Sequence, residues 1–300
     1  MSGHRRPRAP VSRDASGDTA GRRDRGGRGT ASRSGRSQTA SRSNHGAGDD
    51  GGWVVSGRRA VLEAIRSGRA RSVIVARGSK ATPALREILD AAAARHVTVR
   101  EDDRERLDAL ATDHRGVVAW ISAPAALGER ELASFAFEDD ALVVVLDGIE
   151  DPHNLGAAAR AAEAAGASML VSRTRRAAGV TEAAVRASAG ALLHLPHARV
   201  ANVTRALERL KDVGFTVAGL SEDADASIYE EAPPEGRVAI VLGSEGTGMS
   251  RLVREACDVV VGLPMLGEVQ SLNASTSLAA VLYAWVLASR RRPSGPATGT

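Results

Sequence analysis

The 300-residue chain has little cysteine and few aromatic residues. Its single cysteine, Cys257, excludes an internal disulfide and a cysteine-rich metal cluster. Aromatic residues make up 3% of the sequence against 43% for all hydrophobic residues, so Ala, Val and Leu have to fill the core. No stretch approaches the roughly 18 continuous apolar residues of a membrane span, and the N-terminal arginines lack the apolar segment of a signal peptide. We therefore expect a soluble, cytoplasmic protein with no metal site, since no His, Cys and Asp cluster has ligand spacing.

The net charge of +4 is unevenly distributed. Residues 1–52 carry 11 of the 40 basic and 5 of the 36 acidic residues, so the rest of the chain is close to neutral. This basic segment has almost no large apolar side chain and is predicted to be a disordered tail. It could hold RNA by counterion release or be a solvated extension, and the sequence leaves both interpretations open.

The chain from residue 53 to 122 has the pattern of a small α/β unit. The pattern predicts helices at 58–67 and 83–95, with strands at 72–76, 97–99 and 117–121. Residues 123–140 contain Pro124, Gly128 and several charges, and are predicted to be a linker.

A longer unit is predicted for residues 141–290, followed by a C-terminal tail at 291–300. Its strand at 141–146 is an unbroken apolar run, which is typical of a parallel sheet covered on both faces. Helices and strands then alternate, as in α/β proteins. Helices are expected at 157–165, 202–213, 250–256 and 275–289, and strands at 169–172, 216–220, 238–242 and 259–263.

The first segment with chemical character is LDGIEDPHNLGAAAR at residues 146–160, where a buried strand ends in a polar loop that opens a helix. Asn154 stands where an N-cap side chain would accept hydrogen bonds from helix amides, and capping alone could explain it. Arg160 lies about two turns further along an Ala-rich helix, and solvation is a weaker explanation for it. Loops between strand and helix at this edge are where α/β proteins bind ligands.

The second segment, AIVLGSEGTGMS at residues 239–250, is a glycine-rich loop between a strand and a helix. Met249 stands where a phosphate loop needs Lys, and Glu245 would repel a triphosphate. Arg251 stands where the dinucleotide fingerprint needs a third Gly. ATP and NAD are therefore disfavoured, and the loop suits a ligand such as adenine that is recognised by backbone groups.

The third segment, VGLPMLGEVQSLNASTS at residues 261–277, again joins a strand to a helix. Ser271, Asn273 and Ser275 stand at the turn into that helix, where Ser and Asn commonly cap. We expect the three loops to converge on one site, because the carboxyl ends of parallel strands share one edge of a sheet.

These three segments resemble, in order and spacing, the three motifs of the SpoU/TrmH family within the SPOUT methyltransferases. The resemblance covers residues 142–285, and the upstream unit is similar to the substrate-binding domain of the family's ribosomal RNA members. There, His114-Arg115-Gly116 resembles a family H-x-G element, although a simple turn would also explain it. The subgroup that methylates a guanosine ribose in the peptidyl-transferase loop of 23S rRNA is the most similar. Gln270 stands where that subgroup usually has Ser, which leaves the target nucleotide open.

The resemblance implies an α/β fold, with a trefoil-knotted SPOUT methyltransferase domain after a small N-terminal α/β substrate-binding domain at 53–122. It also implies a homodimer, with S-adenosylmethionine bound in the knot. The residues implied to bind this cofactor are Leu220, Gly243, Leu263 and Leu272. The implied catalytic residues are Asn154, Arg160, Glu245, Ser271 and Asn273.

The same resemblance implies roles for these side chains. Arg160 would hold a phosphate beside the reacting ribose, acting by position and charge, because a guanidinium stays protonated in proteins. Glu245 would orient Arg160 or accept the ribose proton. The other three would fix the ribose and the loops.

We therefore expect methyl transfer from S-adenosylmethionine to a ribose 2′-OH of ribosomal RNA, with a guanosine of 23S rRNA as the favoured target. One alternative is the same reaction at another rRNA nucleotide that confers antibiotic resistance. A tRNA substrate is less favoured because of the separate upstream unit. A non-catalytic RNA-binding assembly factor is a third alternative, and the presence of all five implied catalytic residues counts against it.

Overall fold

The computed structural model describes residues 53–268 and 271–291. The predicted tail at 1–52, residues 292–300 of the predicted tail at 291–300, and Gln270 lie outside the described residues; residue 291 is the last of a helix. Two sheets with flanking helices make up the described chain. The predicted α/β class is confirmed. No helix of the described ranges is long and apolar enough to span a membrane.

The first sheet has four strands in the order β1-β4-β2-β3. Strand β4 is antiparallel to β1 and β2, whereas β2 and β3 are parallel. The elements are β1 Trp53–Ser56, α1 Arg58–Arg66, β2 Ala70–Ala76, α2 Pro83–Ala94, β3 Thr98–Asp102, α3 Arg104–Leu110 and β4 Val117–Ile121.

The second sheet has seven parallel strands in the order β7-β6-β5-β10-β8-β11-β9. The first half of its chain comprises α4 Glu129–Ser134, β5 Leu142–Asp147, α5 Pro152–Ala164, β6 Met169–Arg173, α6 Glu182–Ala187, a 3₁₀ turn Ala191–Leu193, β7 His197–Val200 and α7 Val203–Asp212. The second half comprises β8 Thr216–Leu220, β9 Ala226–Ser227, β10 Val238–Gly243, α8 Arg251–Glu255, β11 Val259–Gly262 and α9 Ala274–Arg291. All carboxyl ends therefore meet at one edge.

Strand β5 shows why the second sheet has an apolar run at its centre. Val144 and Leu146 belong to the core on the side of α5 and α9, while Val143 and Val145 belong to the core on the side of α7 and α8. Successive side chains of a strand point to opposite faces, so a strand covered on both sides must be apolar throughout. The prediction of a strand covered on both faces is confirmed.

Several short elements were not predicted. Residues 123–140, predicted as a linker, contain α4, whose Leu132 is buried against the second sheet. Leu127 forms an isolated parallel bridge with Ala198 beside the end strand β7. The segment therefore packs as part of the second sheet's core. The patterns of α3, α4 and α6 are too short for helical periodicity to stand out.

A buried histidine gives the fold a pH dependence. His197 on β7 is 3% exposed, and its Nε2 lies 2.8 Å from Ser172 Oγ on β6. Burial, with a smaller effect from Arg199, lowers the pKa of His197 from 6.5 to about 4. Below pH 6.5 this histidine is protonated in the unfolded chain, whereas in the folded protein it stays neutral down to about pH 4. The free energy of unfolding therefore decreases as the pH is lowered through this window.

We predict that His197 lowers the free energy of unfolding by about 2 kcal/mol when the pH is reduced from 7.5 to 5. Urea unfolding at both pH values measures this difference. His197→Gln should reduce the difference by that amount, whereas His153→Gln, at an exposed position on α5, should leave it unchanged. Equal pH dependence in the wild type and His197→Gln would contradict the prediction.

Candidate active site

The three loops predicted from the sequence meet at the carboxyl edge of the second sheet, and one side chain from each forms a hydrogen-bonded network. Asn154 Nδ2 donates to Glu245 Oε1 at 3.1 Å, and Asn273 Nδ2 donates to the same oxygen at 2.6 Å. Asn273 Nδ2 also lies 3.1 Å from Asn154 Oδ1. We call these three residues the Asn–Glu–Asn network. Residues 91 and 28 positions from Glu245 are thus joined through one carboxylate oxygen.

Asn154 does not cap its helix, which removes capping as the explanation for this residue. Helix α5 begins earlier, at Pro152, and its N-cap is Asp151, whose carboxylate accepts from His153 N at 3.0 Å. Asp followed by Pro is a strong start signal, because proline suits the first helical position. Asn154 consequently lies within the first turn of α5, and its amide is free to reach Glu245.

Asn273 does cap a helix, as predicted for this turn. Its Oδ1 accepts from Ser275 N at 3.0 Å and from Thr276 N at 3.4 Å at the start of α9. Because these contacts occupy the amide oxygen, the amide nitrogen must face Glu245. The cap thus orients the donor of the network. Ser275 Oγ adds a further bond to the same oxygen at 2.5 Å.

The glycine-rich loop, residues 243–249, closes tightly on itself. Ser244 N donates to Gly248 O at 3.0 Å and Gly248 N donates to Ser244 O at 2.9 Å. Gly246 and Gly248 have φ of 81° and 64°, a region that glycine enters without steric cost. A Cβ on Gly243 would stand 2.1 Å from Gly248 C. The closely packed backbone of this loop therefore fixes the position of Glu245.

Asp147, at the end of β5, anchors the far side of this loop. Its side chain is 1% exposed and forms an ion pair with Arg173. Its other oxygen accepts from Ser250 N at 2.8 Å. A buried carboxylate is tolerated only when it is paired in this way. The sequence analysis did not identify this pair, although a charged residue closing an apolar strand was visible at position 147.

A cavity of about 400 Å³ adjoins the network. It is bounded by the ends of β8, β10 and β11 and by the turn into α9. Its lining includes all four residues implied for the cofactor, Leu220, Gly243, Leu263 and Leu272, and also Glu245 and Ser271. Among the described residues, no three His, Cys, Asp or Glu side chains are grouped as metal ligands would be.

The rim of this cavity carries a polar cluster that the sequence analysis missed. Arg254 Nη1 donates to Ser221 Oγ at 2.6 Å and to Asp223 at 3.1 Å. The hydrogen bond from Ser221, assisted by the Asp223 backbone amide and by Arg254, lowers the pKa of the Asp223 carboxyl. At this rim the Asp223 carboxylate therefore stays ionised beside Arg254.

Arg160 lies on the exposed side of α5 and makes no hydrogen bond or ion pair with any described residue. The contact of Glu245 with Arg160, one of the two roles implied for Glu245, is not formed; among the described residues the partners of Glu245 are the amides of Asn154 and Asn273. The guanidinium is left available to a ligand.

His114 in the first sheet's domain has a structural contact set. It is 2% exposed, its Nδ1 accepts from Gly116 N at 2.9 Å, and its Nε2 lies 2.9 Å from Asp108. The histidine of the His114-Arg115-Gly116 element therefore holds a turn. Arg115 projects from it at φ 51° with 72% of its side chain exposed.

Two family models and several known proteins match this chain. The SpoU rRNA methylase family model matches residues 141–283, and the model for RNA 2′-O ribose methyltransferase substrate binding matches residues 54–126. The 23S rRNA (guanosine-2′-O-)-methyltransferase RlmB of a Burkholderia species is 41% identical over 201 residues, covering 66% of this chain and 81% of that protein. A protein assigned to the TrmH family of tRNA/rRNA methyltransferases from Staphylococcus saprophyticus is 38% identical over 77% of this chain and 93% of its own length.

A solved structure extends the similarity. The SpoU methyltransferase AviRb from Streptomyces viridochromogenes, in complex with the cofactor AdoMet, superposes with a TM-score of 0.64 at 28% identity, over 78% of this chain and 89% of that one. The fold and site thus define an S-adenosylmethionine-dependent RNA 2′-O-methyltransferase. The chain belongs to the SpoU/TrmH family, and the resemblance found in the sequence is confirmed.

Proposed function

We propose that this enzyme methylates ribosomal RNA at a ribose 2′-OH, and that a guanosine of 23S rRNA is the target. The observation that supports an active enzyme is the Asn–Glu–Asn network beside the cavity. RNA binding alone does not require a carboxylate held in a fixed position, whereas methyl transfer does. The similarity to RlmB supports the choice of target. We propose residues 53–122 as the RNA substrate-binding domain and 141–290 as the catalytic domain.

The cavity suits S-adenosylmethionine in size and in chemistry. Leu220, Leu263 and Leu272 offer apolar contact for an adenine ring, and the backbone at Gly243 allows the ligand to approach closely. Glu222, Asp223 and Glu245 line the cavity together with Arg254, so the lining carries a net negative charge that favours a cation. When bound, the cofactor supplies a sulfonium methyl group to an attacking hydroxyl.

On the RNA side, we assign the positioning of the substrate to Arg160. Its exposed guanidinium, which has no partner among the described residues, can clamp a phosphate through two parallel hydrogen bonds and hold the adjacent ribose. Asn154, Asn273 and the Ser271 hydroxyl hold the loops and the ribose around the attacked position.

The ribose proton needs an acceptor, and we assign it to Glu245. Both amide donors of the network bind Oε1, so Oε2 has no hydrogen bond to a described residue. In this step the 2′-OH proton would pass to Oε2 while the 2′ oxygen bonds to the methyl carbon; the bond broken would be the one from that carbon to the sulfonium sulfur, which would leave as a neutral thioether. The network fixes the carboxylate before substrate arrives, which avoids reorganisation in the transition state.

We further propose a trefoil knot and a homodimer, in accordance with the family resemblance. Strand β10 lies between β5 and β8, β11 lies beyond β8, and α9 returns to pack on α5 through Tyr283 and Ala164. This path supports a crossing of the chain between the glycine-rich loop and the segment that precedes α9.

The test measures cofactor binding and methyl transfer separately. Calorimetry should detect S-adenosylmethionine but neither ATP nor NAD, because Met249 replaces the phosphate-loop Lys and no third Gly follows Gly248. Tritiated methyl groups should enter a transcript of the 23S peptidyl-transferase loop. Mapping 2′-O-methyl groups in the host's rRNA with and without the gene identifies the nucleotide.

Three results would count against the proposal. Binding of ATP with no binding of S-adenosylmethionine would contradict the assignment of a methyltransferase activity. Cofactor binding without any lost rRNA methyl group would favour tRNA or an assembly role. A missing methyl group elsewhere in rRNA would favour the alternative target.

A further inference from the structure

The end of β6 and the turn that follows it carry a cluster of arginines that has no role in the mechanism proposed above. Its sequence is Arg173-Thr174-Arg175-Arg176, and it stands at the same sheet edge as the Asn–Glu–Asn network, because β6 pairs in parallel with β5. Ala178 N donates to Ile149 O at 2.8 Å, which ties the end of the turn to the loop that opens α5. A backbone hydrogen bond therefore holds the turn next to the active-site loop.

Two arginines hold the turn in place. Arg173 is committed to the buried carboxylate of Asp147 and also donates to Ser250 Oγ at 3.2 Å. Arg199 Nη2, from β7, donates to the carbonyl oxygens of Arg173 and Thr174 at 3.3 and 3.1 Å. These contacts satisfy the carbonyl oxygens of Arg173 and Thr174 and hold the start of the turn without a ligand.

The other two arginines have no such task. Arg175 and Arg176 are exposed, and neither makes a hydrogen bond or ion pair with a described residue. Arg176 has φ 51°, in the left-handed region, which costs a non-glycine residue about 1 kcal/mol. The φ of Arg176 alone does not call for a ligand, since Arg115 and Ala189 have the same value, but the exposed guanidinium groups of Arg175 and Arg176 are available to one.

We propose that Arg175 and Arg176 bind two phosphates of the substrate RNA next to the reacting ribose, an inference that rests on the proposed function. Guanidinium groups match phosphate oxygens in pairs, and a preformed turn loses little entropy on binding. Contacts to phosphate position the RNA without reading its bases. The turn extends the RNA path from Arg160 on α5 across the end of β6.

The test compares RNA binding by Arg175→Ala, Arg176→Gly and the double variant with that of the wild type, using the 23S transcript without cofactor. The plot of log K against log salt has a negative slope, and each lost phosphate contact should make it shallower by about 0.7 to 0.9. We expect the double variant to bind about tenfold more weakly at 0.15 M salt. The KM for RNA should rise accordingly, while kcat and affinity for S-adenosylmethionine stay unchanged.

Stability separates a ligand-binding role from a structural one. Arg176→Gly should melt at the same or a higher temperature, because glycine relieves the left-handed strain. Lys211→Ala is the control, since it removes a positive charge near the amino edge of the sheet, where Lys211 pairs with Asp258. Its salt slope should match the wild type. If the double variant melts at a lower temperature, Arg175→Ala alone, at ordinary φ, carries the same test.

A wild-type salt slope and RNA affinity in the double variant would overturn the inference. A drop in slope no larger than twice that of Lys211→Ala would also overturn it, because the double variant removes two charges and the effect would then be one of net charge. Failure of the proposed function has a different signature: wild-type protein that transfers no methyl group, whatever the turn variants do to RNA binding.

Discussion

Arg160→Ala is expected to lose about two to three orders of magnitude in methyl transfer while keeping its cofactor affinity and melting temperature. The side chain is exposed on α5 and has no partner among the described residues, so the fold does not depend on it. The cavity lining does not include it either. Its removal therefore takes away only a positioned charge at the RNA.

Two further variants sharpen this measurement. Arg160→Lys should be nearly as inactive, because a point charge cannot reproduce the planar fork that clamps a phosphate. Glu163→Ala, also exposed on α5, removes a charge close by and should remain active. Tritiated-methyl incorporation into the 23S transcript and cofactor calorimetry are the readouts. Near-normal transfer by Arg160→Ala would exclude Arg160 from the mechanism, and lost cofactor binding would make it structural.

The strands of the second sheet were predictable because their burial leaves a direct mark on the sequence. The predicted strand at 216–220 coincides with β8, and those at 169–172 and 238–242 each end one residue before β6 and β10 do. Strands covered on both faces must be apolar over their whole length, and this signal does not depend on distant contacts. The predicted strand at 97–99 was less accurate, because β3 is mostly exposed and extends through pairing with β2.

The site was predictable in its residues but not in its contacts. Each loop showed polar side chains after an apolar strand, which suffices to nominate Asn154, Glu245 and Asn273. Which of them bond to one another depends on the strand order, and the sequence pattern does not contain that order. The contact of Glu245 with Arg160, one of two alternatives implied for Glu245, is not formed, and the pattern alone could not decide between them. The anchor between Asp147 and Arg173 was missed for the same reason, since its partners lie on neighbouring strands.

Gly243→Ala is expected to abolish cofactor binding and to destabilise the fold by about 3 kcal/mol or more. A Cβ at this position would stand 2.1 Å from Gly248 C, 2.2 Å from Met249 N and 2.4 Å from Gly248 O. All three are backbone atoms of the closed loop, so no side-chain rotation relieves the clash. The loop must open, and Glu245 and the cavity wall move with it.

Gly246→Ala is the matched control within the same loop. Its Cβ would meet nothing within 4 Å, but φ is 81°, so the substitution should cost only about 1 kcal/mol of backbone strain. Urea unfolding and calorimetry with S-adenosylmethionine distinguish the two variants. If Gly243→Ala binds the cofactor as tightly as Gly246→Ala, the loop is more plastic than its packing implies, and close backbone approach at Gly243 is not what shapes the cofactor site.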